Sequence, residues 1–158
     1  MPRLILIRHA KSSWKTDAPT DHERPLNKRG RKDAPRVARH LADIGWTPDR
    51  VLCSDALRAI ETWALMAPEL DHPATTTHSR LYHAGVSEFQ DVVRPVSTQI
   101  QTLAVVAHNP GLEAILSHLS GEFETLTTCN VALLESNAAK WHESGWTLVD
   151  VIRPRELA

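Results

Sequence analysis

The chain predicts an α/β fold: a three-layer α/β/α sandwich with a largely parallel central sheet. Three observations lead there. Short apolar runs at 4–7, 51–53 and 102–107 have no polar break, as expected of strands buried on both faces. The segments between them carry apolar residues at helical spacing. Strand alternates with helix along most of the chain, the order that builds parallel sheets with helices on both sides. At 158 residues, with 42% hydrophobic and 23% charged composition, a single globular domain over 1–158 is expected. No internal repeat, low-complexity tract or linker interrupts it.

The first strand is Leu4-Ile5-Leu6-Ile7, followed at once by Arg8-His9-Ala10-Lys11-Ser12-Ser13-Trp14. Adjacent strand residues point to opposite faces, so Arg8 and His9 serve one target only if the chain leaves the sheet there. Residues 15–24 are polar and read as a surface loop. Asn27 is placed to cap a helix that buries Ala34, Val37, Ala38, Leu41 and Ala42 and stops at Gly45. Pro35 predicts a regular helix beginning only a residue or two before it. Val51-Leu52-Cys53 is a second strand. Ser54 or Asp55 then caps a helix with Leu57, Ile60, Ala64 and Ala67 as its apolar face and Arg58 near its first turn.

Residues 75–81 read as a third strand, at a sheet edge, and Tyr82-His83-Ala84-Gly85 as a loop. Ser87 caps a helix through Phe89, Val92, Val93, Val96 and Ile100, although Pro95 interrupts the pattern. The run 102–107 is the clearest buried strand after the first, and it exits into His108-Asn109-Pro110-Gly111. Asn at the cap and Pro at the first helical position mark a helix start, with Leu112, Ile115, Leu116 and Leu119 as its core face. Segments 130–135 and 146–153 complete the sheet as two strands joined by a polar turn.

Charge and composition exclude several classes of function. The formal net charge of -1 provides no global field for nucleic acid or an anionic membrane, so any anion specificity is local. Cys53 and Cys129 form no CxxC and no disulfide framework, which points to a reducing cytoplasm. The first apolar run is cut off at Arg8, too short for a signal peptide or a membrane span. An intracellular, cytoplasmic protein is the expectation.

Three strands exit into chemistry. Parallel strands bring their carboxyl ends to one edge, where open α/β sheets bind ligands. Arg8 and His9, the segment from Ser54 to Arg58, and His108 with Asn109 therefore converge there. Guanidinium groups and helix N-termini suit phosphoryl oxygens, and an imidazole beside them can attack phosphorus in line.

Four segments carry a family resemblance, in this order: Leu6-Ile7-Arg8-His9-Ala10-Lys11-Ser12-Ser13-Trp14, Arg24-Pro25-Leu26-Asn27-Lys28-Arg29-Gly30, Ser54-Asp55-Ala56-Leu57-Arg58-Ala59-Ile60-Glu61-Thr62 and Val106-Ala107-His108-Asn109-Pro110-Gly111. The chain resembles the histidine phosphatase superfamily, with its phosphoglycerate-mutase-like fold, and most of all its small SixA-type phosphohistidine phosphatase branch. Beyond Gly111 only the strand pattern matches. The resemblance implies that His9 is the nucleophile and becomes phosphorylated. It implies that Arg8 and Arg58 hold the phosphoryl oxygens and that His108 donates to them from the opposite side. Ser12, Arg24 and Asn109 would add substrate contacts.

Two departures stand out. The family has Gly after the nucleophile, where this chain has Ala10; the Lys-Ser-Ser-Trp that follows is typical of small bacterial relatives. Many members also carry a carboxylic acid after the third strand, to protonate an alkoxide leaving group. Here Glu88 is the possible general acid, although a Glu at a helix start is favourable through the dipole alone.

Rival chemistries are poorly supported. The stretch from Cys53 to Arg58 is similar to a cysteine-phosphatase loop but one residue short, and it lacks glycines. The remaining histidines are scattered with no HExxH, so no metal and no cofactor are expected. No GxSxG marks a serine hydrolase. A non-catalytic phospho-ligand module would have no need of a nucleophile. The expectation is a metal-independent phosphatase that forms a phosphohistidine intermediate. Its partner would be a phosphorylated protein bearing phosphohistidine or, as the alternative, a small phosphorylated metabolite, with no nucleic acid and no membrane.

Overall fold

The computed structural model describes residues 1–157. Its sheet has six strands in the order β3-β2-β4-β1-β5-β6, namely β1 (Arg3–Arg8), β2 (Arg50–Ser54), β3 (Ala74–His78), β4 (Thr102–Ala107), β5 (Val131–Glu135) and β6 (Thr147–Ile152). Strands β3, β2, β4 and β1 run parallel, β5 is antiparallel to β1, and β6 is antiparallel to β5. The helices are α1 (Lys28–Asp43), α2 (Leu57–Met66), α3 (Val86–Val93) and α4 (Gly111–Ser120). The predicted α/β architecture with a largely parallel sheet is what the chain forms.

Alternation along the central strands divides the core into two layers. Ile5, Ile7, Val51, Cys53, Ala104 and Val106 face α1 and α2. Leu4, Leu6, Leu52, Leu103, Val105 and Ala107 face α3 and α4. Residues 4–7 and 103–106 are completely buried, and burial of each large aliphatic side chain contributes roughly 1.5–3 kcal/mol. This is why these strands read as unbroken apolar runs instead of alternating ones.

Several local expectations are corrected. Helix α1 starts at Lys28, with Pro35 inside it; the Asn27 side chain accepts from the Gly30 N–H at 2.9 Å, and that cap sets the start ahead of the proline. Helix α2 buries Ala59, Thr62, Trp63 and Met66 together with Arg58, while Ile60 is exposed. Its rotation is fixed by Arg58 turning inward and by the Trp63 indole, which donates to Thr75, so Leu57, Ile60, Ala64 and Ala67 are not the core face. Neither Ser54 nor Asp55 caps α2; Ala56 occupies that position without a side-chain bond. Strand β3 ends at His78, and 79–81 form a 3-10 turn. Gly85, not Ser87, precedes α3, which ends at Val93 ahead of Pro95, whose missing N–H leaves the helix without its next donor. Pro110 takes the cap position of α4, one residue later than predicted. Among the described residues, no helix is long and apolar enough to cross a membrane.

Candidate active site

Register brings three strand ends level. Ile7 and Cys53 both pair with Val106, so Arg8, Ser54 and Ala107 form the next row and His9 and His108 lie just beyond it. His9 is still pinned by its backbone, donating to the Ala107 carbonyl and accepting from the Cys129 N–H. The cleft at this edge, about 250 Å³, is lined by Arg8, His9, Ser12, Arg24, Arg58, His108 and Asn109. These are all of the predicted site residues except Glu88.

Two glycines allow the walls to close. A Cβ on Gly30 would collide with the Lys11 carbonyl oxygen, and one on Gly111 with the Ala84 carbonyl oxygen. The first turns of α1 and α4 therefore press directly on the loops that carry the cleft. Ser12 bridges Leu26, setting Arg24 beside Ser12, whose hydroxyl accepts from Nη2 at 2.5 Å. On the other side, Leu126 offers its carbonyl to Arg8 Nη1 at 2.8 Å and to Asn109 Nδ2 at 2.6 Å. Asn109 Oδ1 accepts from the Glu113 N–H, so both ends of that amide serve the scaffold. Arg8 Nε is buried without a protein partner.

The two histidines stand 4.9 Å apart between ring centroids. His9 Nδ1 lies 2.8 Å from the Ala10 carbonyl oxygen. A carbonyl only accepts, so Nδ1 carries the proton and Nε2 keeps its lone pair. Burial, followed by the nearby arginines, pushes His9 down to about 4, which keeps the ring neutral and nucleophilic near pH 7. His108 is pushed down to about 3, first by burial and then by His9 and Arg58. Its Nε2 lies 2.8 Å from Ser54 Oγ, which also accepts from the Ala56 N–H. The hydroxyl proton is free to point at Nε2, and Nδ1 is a buried atom without a protein partner.

Ala10, the departure from Gly, is fully buried among core residues and does not line the cleft. Its N–H donates to Thr62 Oγ1 at 2.9 Å. Glu88 lies outside the cleft, and its Oε1 accepts from the Gly85 N–H at 2.8 Å. Cys53 is a core residue whose thiol is pushed up to about 12, first by burial and then by Asp55, so it is no thiolate nucleophile.

Sequence reasoning missed Asp21, Tyr82 and His83. The segment containing Asp21, read as a surface loop, folds back through a 3-10 turn at 21–23. The Asp21 carboxylate meets Arg24 at 2.7 Å, Arg58 at 3.0 Å and the Tyr82 hydroxyl at 2.7 Å. Those donors, the Tyr82 hydrogen bond foremost, hold it far below the usual carboxylate range. The spacing from Asp21 to Arg24 matches one local pair, but nothing local indicates that Arg58 and Tyr82 arrive from elsewhere.

A sheet edge that gathers arginines around a neutral imidazole suits the oxygens of a phosphoryl group. The family model described as the histidine phosphatase superfamily (branch 1) matches residues 4–91, and the chain belongs to that superfamily. It is 36% identical to an uncharacterized chloroplastic protein of Arabidopsis thaliana, over 96% of this chain and 78% of that one. Among solved structures it is similar to a candidate phosphohistidine phosphatase SixA of Agrobacterium tumefaciens, at 27% identity and a TM-score of 0.85, covering 98% of this chain and 99% of that one. A second candidate SixA, from Nakamurella multipartitia, gives 26% identity and a TM-score of 0.87 over 97% and 96% of the two chains.

Proposed function

We propose that this protein is a metal-independent phosphatase that works through a phosphorylated His9 and removes phosphoryl groups from phosphohistidine on proteins. The observation that carries the reading is the tautomer of His9. With Nδ1 held by the Ala10 carbonyl, Nε2 presents its lone pair in a cleft lined by Arg8, Arg24 and Arg58. Those guanidinium groups bind the phosphoryl oxygens and supply the positive charge that a metal would otherwise bring. His108 Nδ1–H donates to the charge that builds on the transferring group. Nε2 attacks phosphorus, the bond to the leaving group breaks, and water later releases phosphate from His9. Ser12 and Arg24 complete the pocket, and Asn109 shapes its wall.

Two features favour the phosphoramidate over an ester. An alkoxide needs a proton from a general acid, and no carboxylic acid is poised to give one: Asp21 is held ionised and Glu88 is engaged at the start of α3. A phosphohistidine departs as imidazole, which needs far less help. Similarity to the two candidate SixA proteins supports the same reading. The test is to compare kcat/KM on a phosphohistidine peptide with that on a panel of sugar phosphates, before and after exhaustive chelation. The peptide should be preferred under both conditions. Preference for a sugar phosphate, or loss of activity restored by added zinc or manganese, would overturn the proposal.

A further inference from the structure

The mechanism above leaves one imidazole in the cleft unused. His83 lines the cleft and also a second hollow of about 300 Å³, bounded by Ala84, Gly85, His108, Pro110 and Ala114. It therefore stands on the rim where the cleft opens away from the arginines. Its backbone is left-handed, with φ of 59°, a conformation that is strained for a non-glycine residue and recurs at functional sites. The ring packs on Tyr82, with centroids 3.9 Å apart. Tyr82 in turn stands edge-on to His108 at 5.6 Å and bonds Asp21 through its hydroxyl. An exposed imidazole is thus fixed against an aromatic ring that is tied to the phosphoryl pocket.

Elimination leads to the same residue. A guanidinium or ammonium keeps its proton near neutral pH, whereas an imidazole exchanges it there. Asp21, the carboxylate that lines the cleft, is held ionised by its donors. His9 is the nucleophile, and His108 is turned toward Ser54 and the phosphoryl group.

Resting on the proposed phospho-His9 reaction, we infer that His83 is its proton donor, protonating the leaving group and later accepting a proton from the hydrolytic water. In the first step His9 Nε2 bonds to phosphorus and the bond to the leaving group breaks. The released electron pair stays on the leaving atom. An oxygen leaving group takes the His83 proton directly; a phosphohistidine takes it on its distal ring nitrogen and departs as neutral imidazole. In the second step water attacks phosphorus and passes a proton to His83. The N–P bond breaks, and its electron pair returns to His9.

The test uses His83→Asn, because asparagine accepts the left-handed backbone and keeps the turn. Turnover is measured on 4-nitrophenyl phosphate, whose phenolate leaves without a proton, and on phenyl phosphate, whose phenolate needs one. The ratio of the two rates should rise roughly 100-fold in the variant, the size expected for a lost general acid, and added imidazole should lower it again. A uniform loss on both substrates, or no loss, with His9 still phosphorylated would overturn the role of His83 alone. Absence of a phosphoryl group on wild-type His9 would overturn both this role and the reading on which it rests.

Discussion

Removing the Ser54 hydroxyl tests how the second histidine is oriented. Ser54 is fully buried and His108 is 6% exposed, and their 2.8 Å bond is the one protein contact that fixes the His108 ring nitrogens. Ser54→Ala deletes one oxygen and leaves His108 Nε2 buried without a donor. An unsatisfied buried polar group costs about 1–3 kcal/mol. For a chain of this size each kcal/mol lowers Tm by about 2–4 °C, so a fall of roughly 2–12 °C is expected in a melt. The kinetic effect follows from the same bond. Without it the ring can place its proton on Nε2, and Nδ1 no longer donates to the phosphoryl group. A net bond of about 1.4 kcal/mol lost from the transition state is a tenfold fall in rate. A drop in kcat of about tenfold, with KM changed much less, is expected in steady-state assays on a phosphohistidine peptide. Wild-type kcat in Ser54→Ala would refute the argument that this hydroxyl sets the tautomer.

Three other perturbations follow. His9 and His108 are pushed down to about 4 and about 3, below the ordinary imidazole value near 6.5. Below that value the unfolded chain binds more protons than the folded one, so stability should fall as pH drops from about 6.5 toward 4; denaturant titrations should show a smaller fall in the double variant His9→Asn, His108→Asn, and an equal fall would contradict the assignment. Gly111→Ala drives a methyl group into the Ala84 carbonyl, so a melt should show a loss of about 1–3 kcal/mol along with reduced turnover. Glu88→Ala removes the acceptor for the Gly85 N–H and should cost about 0.5–2 kcal/mol, while turnover on a phosphohistidine peptide stays within about twofold because no general acid is lost.

The sheet was legible because burial on both faces leaves an unambiguous trace, as in Leu4-Ile5-Leu6-Ile7. The edge that gathers Arg8, His9, Arg58 and His108 followed from parallel topology and motif order. Helix α2 was misread because local periodicity supports either of two faces, and a buried Arg58 together with Trp63 decides between them. Asn27 and Pro35 gave opposing signals for the start of α1, and the cap prevailed. The role of the 15–24 loop was invisible because the partners of Asp21, namely Arg58 and Tyr82, lie 37 and 61 residues away. His83 lay in plain view but carried no pattern; only its place on the cleft rim distinguishes it from the other scattered histidines.

The central claim is that the His9 Nε2 atom carries the phosphoryl group between substrate and water. Protein trapped during turnover at alkaline pH can be examined by mass spectrometry and by phosphorus–nitrogen NMR on the intact adduct. One acid-labile phosphoryl group is predicted, bonded to Nε2 of His9 and absent from His9→Ala. Attachment at Nδ1, or undiminished labelling in His9→Ala, would contradict the account.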